Sequence, residues 1–182
     1  IQSFRESDLK AMNRAHTAAE AHNCLSNCRQ AGFNDLSLDL MYGLPKLSAK
    51  DWDQNVQQAL QYQPEHLSAY CLTVEPGTVL HHQVKKGKTQ PVDEEAANDQ
   101  FDHLIDQLES HEYTHYEISN FARERRYARH NTAYWQGKSY LGIGPSAHSF
   151  NGRERQWNIA HNQRYLKALA QQEVPAELET LS

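Results

Sequence analysis

The chain has 182 residues, which is long enough for one substantial hydrophobic core or for one domain with an appended piece. Its 18 Lys and Arg against 23 Asp and Glu give a formal net charge of −5, so no overall positive field draws it to nucleic acid. An odd number of cysteines, three, excludes a disulfide framework, and the lack of a membrane-length apolar run or signal-peptide pattern predicts a soluble, cytoplasmic protein.

The first elements in chain order are a strand end and two helices. Residues 1–4, IQSF, have the pattern of the last residues of a strand, and a chain that starts there without methionine is expected to be a fragment. A polar helical segment follows over 7–14. Thr17 and Glu20 then form a capping box, in which each side chain satisfies a free backbone N–H at a helix start. The helix that they open is predicted to end at Gly32, which suits a left-handed C-terminal position.

Two cysteines of this helix imitate part of an iron–sulfur motif. Cys24 and Cys28 lie one helical turn apart, and no third cysteine or histidine follows at a suitable spacing. Iron–sulfur clusters usually need three or four cysteines. We therefore predict that these two are small residues on a helix face.

Strands and helices then alternate along the chain. The strands show period-two alternation or short apolar runs, and the first of the helices opens at a capping Ser48. Strands are predicted at 35–43, 66–73 and 114–119, and helices at 48–61 and 93–110. Because strand, helix and strand follow one another, we predict a parallel sheet with right-handed crossovers.

The first of these strands contains a carboxylate among apolar residues. Leu38 and Leu40 fall on one face, and Asp39 and Met41 fall on the other. An ionised carboxylate in such a strand is costly unless it is paired or hydrogen-bonded. A ribose diol near the carboxyl end of the strand and an ion pair with a neighbouring Arg or Lys are both suitable partners, and the residues alone leave the choice open.

The segment 130–150 concentrates histidine, aromatic and glycine residues. His130 is followed by Tyr134 and Trp135, and the apolar run 140–144 is predicted to be a buried strand whose glycines allow close approach of a backbone or a flat ligand. This composition is typical of a site for a large aromatic or metal-bearing ligand. A buried strand beside an aromatic loop explains the same residues, and composition alone favours that simpler interpretation.

Several motifs together resemble a known family. In chain order they read QSF from Gln2, NRAHT from Asn13, DLMYGLP from Asp39, LSAY from Leu67, EPGT from Glu75 and YEISNFAR from Tyr116. In order and spacing they resemble the radical S-adenosylmethionine family of oxygen-independent coproporphyrinogen III oxidases and their relatives. The later motifs, with HNTAYW from His130, resemble the heme chaperone branch of that family, and the resemblance covers nearly the whole chain.

The resemblance implies an α/β fold, namely the second half of a radical S-adenosylmethionine (β/α) barrel with a parallel sheet and flanking helices. Residues 1–150 would form that half barrel, and 151–182 would begin the connection to a C-terminal domain. The cysteine loop that holds the family's 4Fe–4S cluster would lie upstream of residue 1, so its ligands are expected to be absent from this chain. A half barrel would leave an unpaired edge at 1–4, which invites self-association.

The resemblance also implies two sets of site residues. The expected S-adenosylmethionine contacts are Gln2 and Asp39 around the ribose, Arg14 at the methionine carboxylate, and Met41, Thr73 and His148 near the adenosine. The expected heme contacts are His130 as the axial iron ligand, with Tyr134 and Trp135 shaping the pocket. Arg125, Arg126 and Arg129 suit the heme propionates.

Two functions from different classes follow from the resemblance. A heme chaperone would hold heme through His130 and pass it to acceptor proteins, with the 4Fe–4S cluster and S-adenosylmethionine in a supporting role. An oxygen-independent coproporphyrinogen III oxidase would decarboxylate propionate side chains of a porphyrin precursor by radical chemistry. The motif at His130 favours the chaperone, and a fragment alone is expected to be inactive as an enzyme.

Overall fold

The computed structural model describes residues 1–181, which divide into two compact units. The first unit is Ile1–Tyr127, and the second begins at Ala128. The division expected at residue 150 refers to the domains of the complete family fold, and it stays a prediction.

The first unit is a four-stranded sheet with helices. Its helices are α1 Glu6–Ala11, α2 Ala18–Gln30, α3 Ala49–Gln61, α4 Val79–Lys85 and α5 Glu94–Ser110. Its strands are β1 Ser37–Tyr42, β2 His66–Cys71, β3 Thr114–His115 and β4 Asn120–Ala122, in the spatial order β1-β2-β4-β3. The expected α/β fold with a parallel pair and flanking helices is confirmed.

The prediction for the third strand is wrong in one respect. β1 and β2 are parallel as expected, but β4 pairs antiparallel with both β2 and β3. Two antiparallel steps make β3 run in the same direction as β2, which is the direction that the crossover through α5 predicts. Only four residues separate β3 from β4, and so short a connection reverses the chain as a hairpin. β4 therefore occupies the place beside β2.

Side chains cap the starts of α2, α3 and α5, and the sequence predicts the caps at Thr17 and Ser48. Thr17 and Glu20 form the complete capping box of α2. The side chains of Ser48 and Asp93 accept hydrogen bonds from backbone N–H groups at the starts of α3 and α5. Each cap satisfies a donor that has no partner inside its helix, which typically stabilises the helix by about 1 kcal/mol.

The core lies between the sheet and its helices. On the sheet side, Leu38 and Leu40 of β1, Leu67 of β2 and Phe121 of β4 are buried. On the helix side, the buried side chains are Trp52, Val56 and Ala59 of α3 and Leu104 and Leu108 of α5. Full burial of an aliphatic or aromatic side chain contributes roughly 1.5–3 kcal/mol, so this layer determines which face of the sheet is left for other chemistry.

The backbone of residues 1–4 pairs with the sheet at one residue, Gln2, and does not form a strand. The Gln2 N–H donates to the Asp39 carbonyl at 2.8 Å, and the Met41 N–H donates to the Gln2 carbonyl at 2.8 Å. Among residues 1–181, β1 is the one strand with which Gln2 forms a bridge. Self-association through this edge stays a prediction.

Glu65, just before β2, accepts hydrogen bonds from Arg29 and from the backbone before β1. These bonds make the stability of the folded chain depend on pH. Burial alone would raise the pKa of Glu65, but hydrogen bonds from the Leu36 N–H and the Arg29 guanidinium lower it below its usual value. A carboxyl with a lowered pKa in the folded chain contributes stability that is present above its unfolded pKa, about 4.3, and is lost as pH falls through the folded value.

We therefore expect the melting temperature to drop as the pH is lowered below about 5. In the variant Glu65→Gln this drop should be smaller. Thermal unfolding across acid pH measures both. An unchanged profile in Glu65→Gln would contradict the role given to Glu65.

The second unit contains a three-stranded antiparallel sheet. Its elements are α6 Arg129–Trp135, β5 His148–Phe150, β6 Glu154–Asn158, α7 Asn162–Ala170 and β7 Ala176–Thr180, with strand order β5-β6-β7. The buried strand expected at 140–144 is wrong, because only Tyr140 forms a bridge, while Leu141 is 78% and Ile143 is 85% exposed. The expectation that a glycine here allows close approach of a backbone is confirmed at Gly142, where an added Cβ would clash with the His148 carbonyl oxygen.

Among residues 1–181, no helix has both the length and the apolar character that crossing a membrane requires.

Candidate functional site

The polar face of β1 brings three of the expected cofactor residues together. Asp39 and Met41 are half-buried on the face opposite the buried Leu38 and Leu40. Gln2 hydrogen-bonds the backbone on either side of Leu40 and has a φ of +72°, in the left-handed region that side chains other than glycine rarely adopt. Such backbone strain is commonest at functional sites.

The carboxylate of Asp39 is the chemically reactive feature of this face. Among residues 1–181 it has no hydrogen-bond or ion-pair partner, although the first unit contains several ion pairs elsewhere. An ion pair with Arg or Lys, which the sequence left open, is thus not formed. An unpaired, half-buried carboxylate is a strong acceptor for hydroxyl or amine donors of a ligand.

Arg14 is exposed beyond the end of α1, and its backbone N–H donates to the Leu9 carbonyl at 2.8 Å. A guanidinium can pair with the carboxylate of a zwitterionic ligand. The expected contact of Arg14 with the methionine carboxylate, beside Asp39, stays a prediction.

A histidine that the sequence does not single out, His66, also lies on this polar face. His66 is the register partner of Ser37, whose Oγ lies 2.8 Å from His66 Nδ1, and His66 Nε2 lies 2.8 Å from the Tyr116 hydroxyl. Burial lowers the pKa of His66 despite the opposing effect of the Asp39, Glu117 and Asp35 carboxylates. Burial thus favours the neutral form of His66, and the period-two alternation of β2 is the signal that could have placed it here.

The remaining expected adenosine contacts lie apart from this cluster in the sequence. Thr73 is exposed just beyond the end of β2, which is the end of a parallel strand where ligands are usually bound. His148 is exposed at the start of β5 in the second unit, with its ring centroid 6.3 Å from that of Trp157. Their cofactor contacts stay predictions.

The expected heme residues lie on one short helix of the second unit. His130 and Tyr134 are one turn apart on α6, and their rings meet edge to face with centroids 4.8 Å apart. Neither imidazole nitrogen of His130 has a hydrogen-bond partner among residues 1–181, so both remain available to a metal. Trp135 is exposed too but is five residues from His130, on a different side of α6.

Two further aromatic residues extend the His130 face. The ring of Tyr134 meets the ring of Tyr140 edge to face at 4.6 Å, and Tyr140 lies 6.1 Å from Phe150. The sequence had placed Tyr140 in a buried strand, so its role in this aromatic row was missed. A flat, apolar ligand can pack on such a row beside an imidazole.

The basic run before His130 is only partly available. Arg126 donates to the Asn34 carbonyl at 2.7 Å and pairs with Glu124 at 3.5 Å, both within the first unit. Arg125 and Arg129 are exposed. The expected pairing of all three guanidinium groups with propionates stays a prediction, and the structure gives Arg126 a structural role as well.

One cleft of the first unit lies away from the polar face. This cleft has a volume of about 480 Å³ and contains Arg29, Glu65, Arg123 and Arg126, which lie at the amino-terminal ends of the parallel strands. Arg29 alone donates to the carbonyls of Tyr62 and Gln63 and to Glu65. At that end of such a sheet, polar clusters usually serve stability, so we assign the cleft to folding.

The thiols of α2 show no sign of a metal site. No group of three His, Cys, Asp or Glu side chains suited to a metal ion occurs among residues 1–181. Burial, followed by the neighbouring Cys24 thiol, raises the pKa of Cys28, which makes it a poorer thiolate ligand. The role of both cysteines as helix-face residues stays a prediction.

Comparisons with known proteins identify relatives of the chain. It is 32% identical over 175 residues to the heme chaperone HemW of Bacillus subtilis, covering 96% of this chain and 46% of the relative. It is 38% identical over 148 residues to the mitochondrial radical S-adenosyl methionine domain-containing protein 1 of Mus musculus, covering 81% of this chain and 34% of the relative. No protein-family model matches the chain.

The fold has a solved counterpart. All of this chain superposes on 45% of the coproporphyrinogen III oxidase of Escherichia coli, a radical SAM enzyme, with a TM-score of 0.81 and 21% sequence identity. The chain spans less than half the length of these relatives. The expected resemblance and the partial radical S-adenosylmethionine fold are confirmed.

Proposed function

From its homology to part of the HemW heme chaperones, we propose that this chain is part of a radical S-adenosylmethionine protein that binds heme and transfers it to acceptor proteins. One observation carries the proposal: the exposed His130 imidazole has both nitrogens unengaged within residues 1–181 and stands edge-on to Tyr134. Imidazole is a common axial ligand of heme iron, and an aromatic row beside it suits the flat macrocycle.

The polar face of the first unit fits S-adenosylmethionine. Asp39 would accept hydrogen bonds from the ribose hydroxyls, and Arg14 would pair with the methionine carboxylate. The strained backbone at Gln2 would hold the edge beside Asp39 in place. When bound with a 4Fe–4S cluster, S-adenosylmethionine supplies radical chemistry, and the cysteines that hold such a cluster are expected outside this chain.

The alternative function is oxygen-independent coproporphyrinogen III oxidase activity. The same polar face supports it, because Asp39 and Arg14 would hold S-adenosylmethionine equally well in an oxidase. A heme ligand at His130 has no part in decarboxylating a metal-free porphyrinogen. The chaperone is therefore the better explanation of the second unit, and a cytoplasmic location stays a prediction.

The two functions separate in one experiment on the full-length protein under anaerobic conditions. One sample receives heme and then an apo-form heme acceptor, and the transfer is followed by absorbance. A parallel sample receives coproporphyrinogen III, S-adenosylmethionine and a reductant, and product is followed by chromatography. Transfer without turnover is the expected result, whereas turnover without stable heme binding would replace the chaperone by the oxidase.

Asp39→Asn tests the cofactor face. Loss of charge-assisted hydrogen bonds to the ribose should weaken S-adenosylmethionine binding by roughly 1–3 kcal/mol. Calorimetry on the full-length protein gives the affinity, and exposed Asp99→Asn on α5 is the matched control that should bind normally. Equal affinities of Asp39→Asn and the unsubstituted protein would leave Asp39 with a structural role only.

A further inference from the structure

We propose that Asn120 is a further S-adenosylmethionine contact, whose side-chain oxygen accepts a hydrogen bond from the adenosine part of the ligand; this rests on the proposed cofactor face at Asp39. Neither the sequence motifs nor the comparisons assign a role to this residue.

The unpaired atom is the amide oxygen of Asn120, the first residue of β4. Asn120 is only 3% exposed, and its Oδ1 is buried without a hydrogen-bond partner among the described residues. Buried polar groups are nearly always paired, because leaving one unpaired costs roughly 1–3 kcal/mol. No other buried side-chain nitrogen or oxygen of this sheet lacks a partner within residues 1–181. An unpaired buried acceptor in this position indicates a hydrogen-bond donor that a bound ligand supplies.

The strand register places Asn120 in line with Asp39. Asp39 is the register partner of Ser68, and Ser68 is the register partner of Asn120. Register partners share one face of a sheet, and neighbouring strands are about 4.8 Å apart, so these residues form a row about 10 Å long. The residues next in sequence, Leu40, Leu67 and Phe121, are buried in the core on the opposite face. The row therefore lies on the polar face.

The chemistry of the row selects the kind of ligand. Asp39 and Asn120 both present unsatisfied acceptor oxygens at its two ends, so the ligand must carry hydrogen-bond donors. Adenosine has ribose hydroxyls and an exocyclic amino group. The ionised propionates of heme are hydrogen-bond acceptors, and they cannot bond to the acceptor oxygens of this row. The row thus suits S-adenosylmethionine and does not suit heme.

Access to the acceptor needs one small movement. Oδ1 is out of contact with water, but the last torsion of an asparagine side chain is broad, and its rotation exchanges the positions of the oxygen and nitrogen. A ligand donor entering beside Asp39 would make that rotation favourable by supplying the missing hydrogen bond. The backbone of β4, held by Ser119 and Phe121 against β2, need not move.

The test compares Asn120→Ala and Asn120→Leu with the unsubstituted full-length protein. Binding of S-adenosylmethionine and of S-adenosylhomocysteine, measured by calorimetry, should weaken roughly 5- to 100-fold in both variants. The unfolding midpoint without ligand should stay the same or rise, because neither change breaks a hydrogen bond present in the unloaded chain. Heme titration should give the unsubstituted result.

Asn55 provides the matched control, since it is equally buried but fully bonded. Its Oδ1 accepts from the Phe4 N–H at 2.7 Å, and its Nδ2 donates to Ser3 Oγ at 2.9 Å. Asn55→Ala should therefore lower the unfolding midpoint of the unloaded protein, as a structural amide does.

Two results would overturn the inference: normal ligand affinity in the Asn120 variants, or a loss of unloaded stability as large as that of Asn55→Ala. If Asp39→Asn weakens binding while the Asn120 variants bind normally, the cofactor face stands and only the role of Asn120 fails. If Asp39→Asn also binds normally, the proposed cofactor face fails together with it.

Discussion

His130→Ala should abolish or shift the Soret band of the heme-reconstituted full-length protein. The imidazole of His130 would supply the bond to iron, whereas Tyr134, whose ring centroid lies 4.8 Å from that of His130, would supply only ring contact. Loss of groups that merely support a metal ligand costs 10- to 100-fold in affinity, so loss of the ligand itself should cost roughly that or more. Absorbance titration with heme measures both the spectrum and the affinity.

His148→Ala is the control for this experiment, because His148 is an exposed histidine of the same unit without an aromatic row like that of His130. It should keep the heme spectrum and instead weaken S-adenosylmethionine binding. An unchanged spectrum and affinity in His130→Ala would remove the main support for the heme chaperone. A loss of heme in His148→Ala alone would move the iron ligand to that residue.

Trp52→Ala should destabilise the first unit by about 3–5 kcal/mol, the range for removing a large aromatic side chain from a core. Trp52 is fully buried in α3, and its indole N–H donates to the Gln100 carbonyl at 2.7 Å. The Gln100 side chain in turn accepts from the Gly43 N–H and donates to the Leu47 carbonyl. Removing the indole therefore creates a cavity and takes away the second hydrogen bond of a buried carbonyl of α5.

Urea unfolding of the full-length protein measures this loss. Trp52→Phe keeps most of the apolar volume and removes the N–H, so its stability should lie between those of Trp52→Ala and the unsubstituted protein. If Trp52→Ala lowers the free energy of unfolding by less than about 1 kcal/mol, the packing of α3 contributes less to the core than its burial indicates.

The sequence predicted those parts of the fold that local patterns decide. The alternation at Leu38 and Asp39 identified β1 and its polar face, and the caps at Thr17 and Ser48 marked two helix starts, because each signal acts within a few residues. One local signal was overlooked: Thr78 caps the seven-residue α4, which we did not predict.

What the sequence could not predict depends on distant partners. The pattern of 114–122 does not say which strand pairs with β4, and the apolar residues Leu141 and Ile143 form no strand because no described strand pairs with them. The unpaired oxygen of Asn120 is likewise visible only once its surroundings are known. The candidate site was thus identified through Asp39 and His130, whereas the contacts around each came from the structure.

The β3–β4 hairpin has a consequence for the order in which the chain folds. Its two strands are separated by four residues, whereas β2 and β4 are about fifty residues apart, so closing the hairpin costs far less chain entropy than pairing it with β2. The hairpin should therefore close early and join β2 late. Asn120 lies on the strand that joins last, so the row that we assign to the ligand would be completed only at the end of folding.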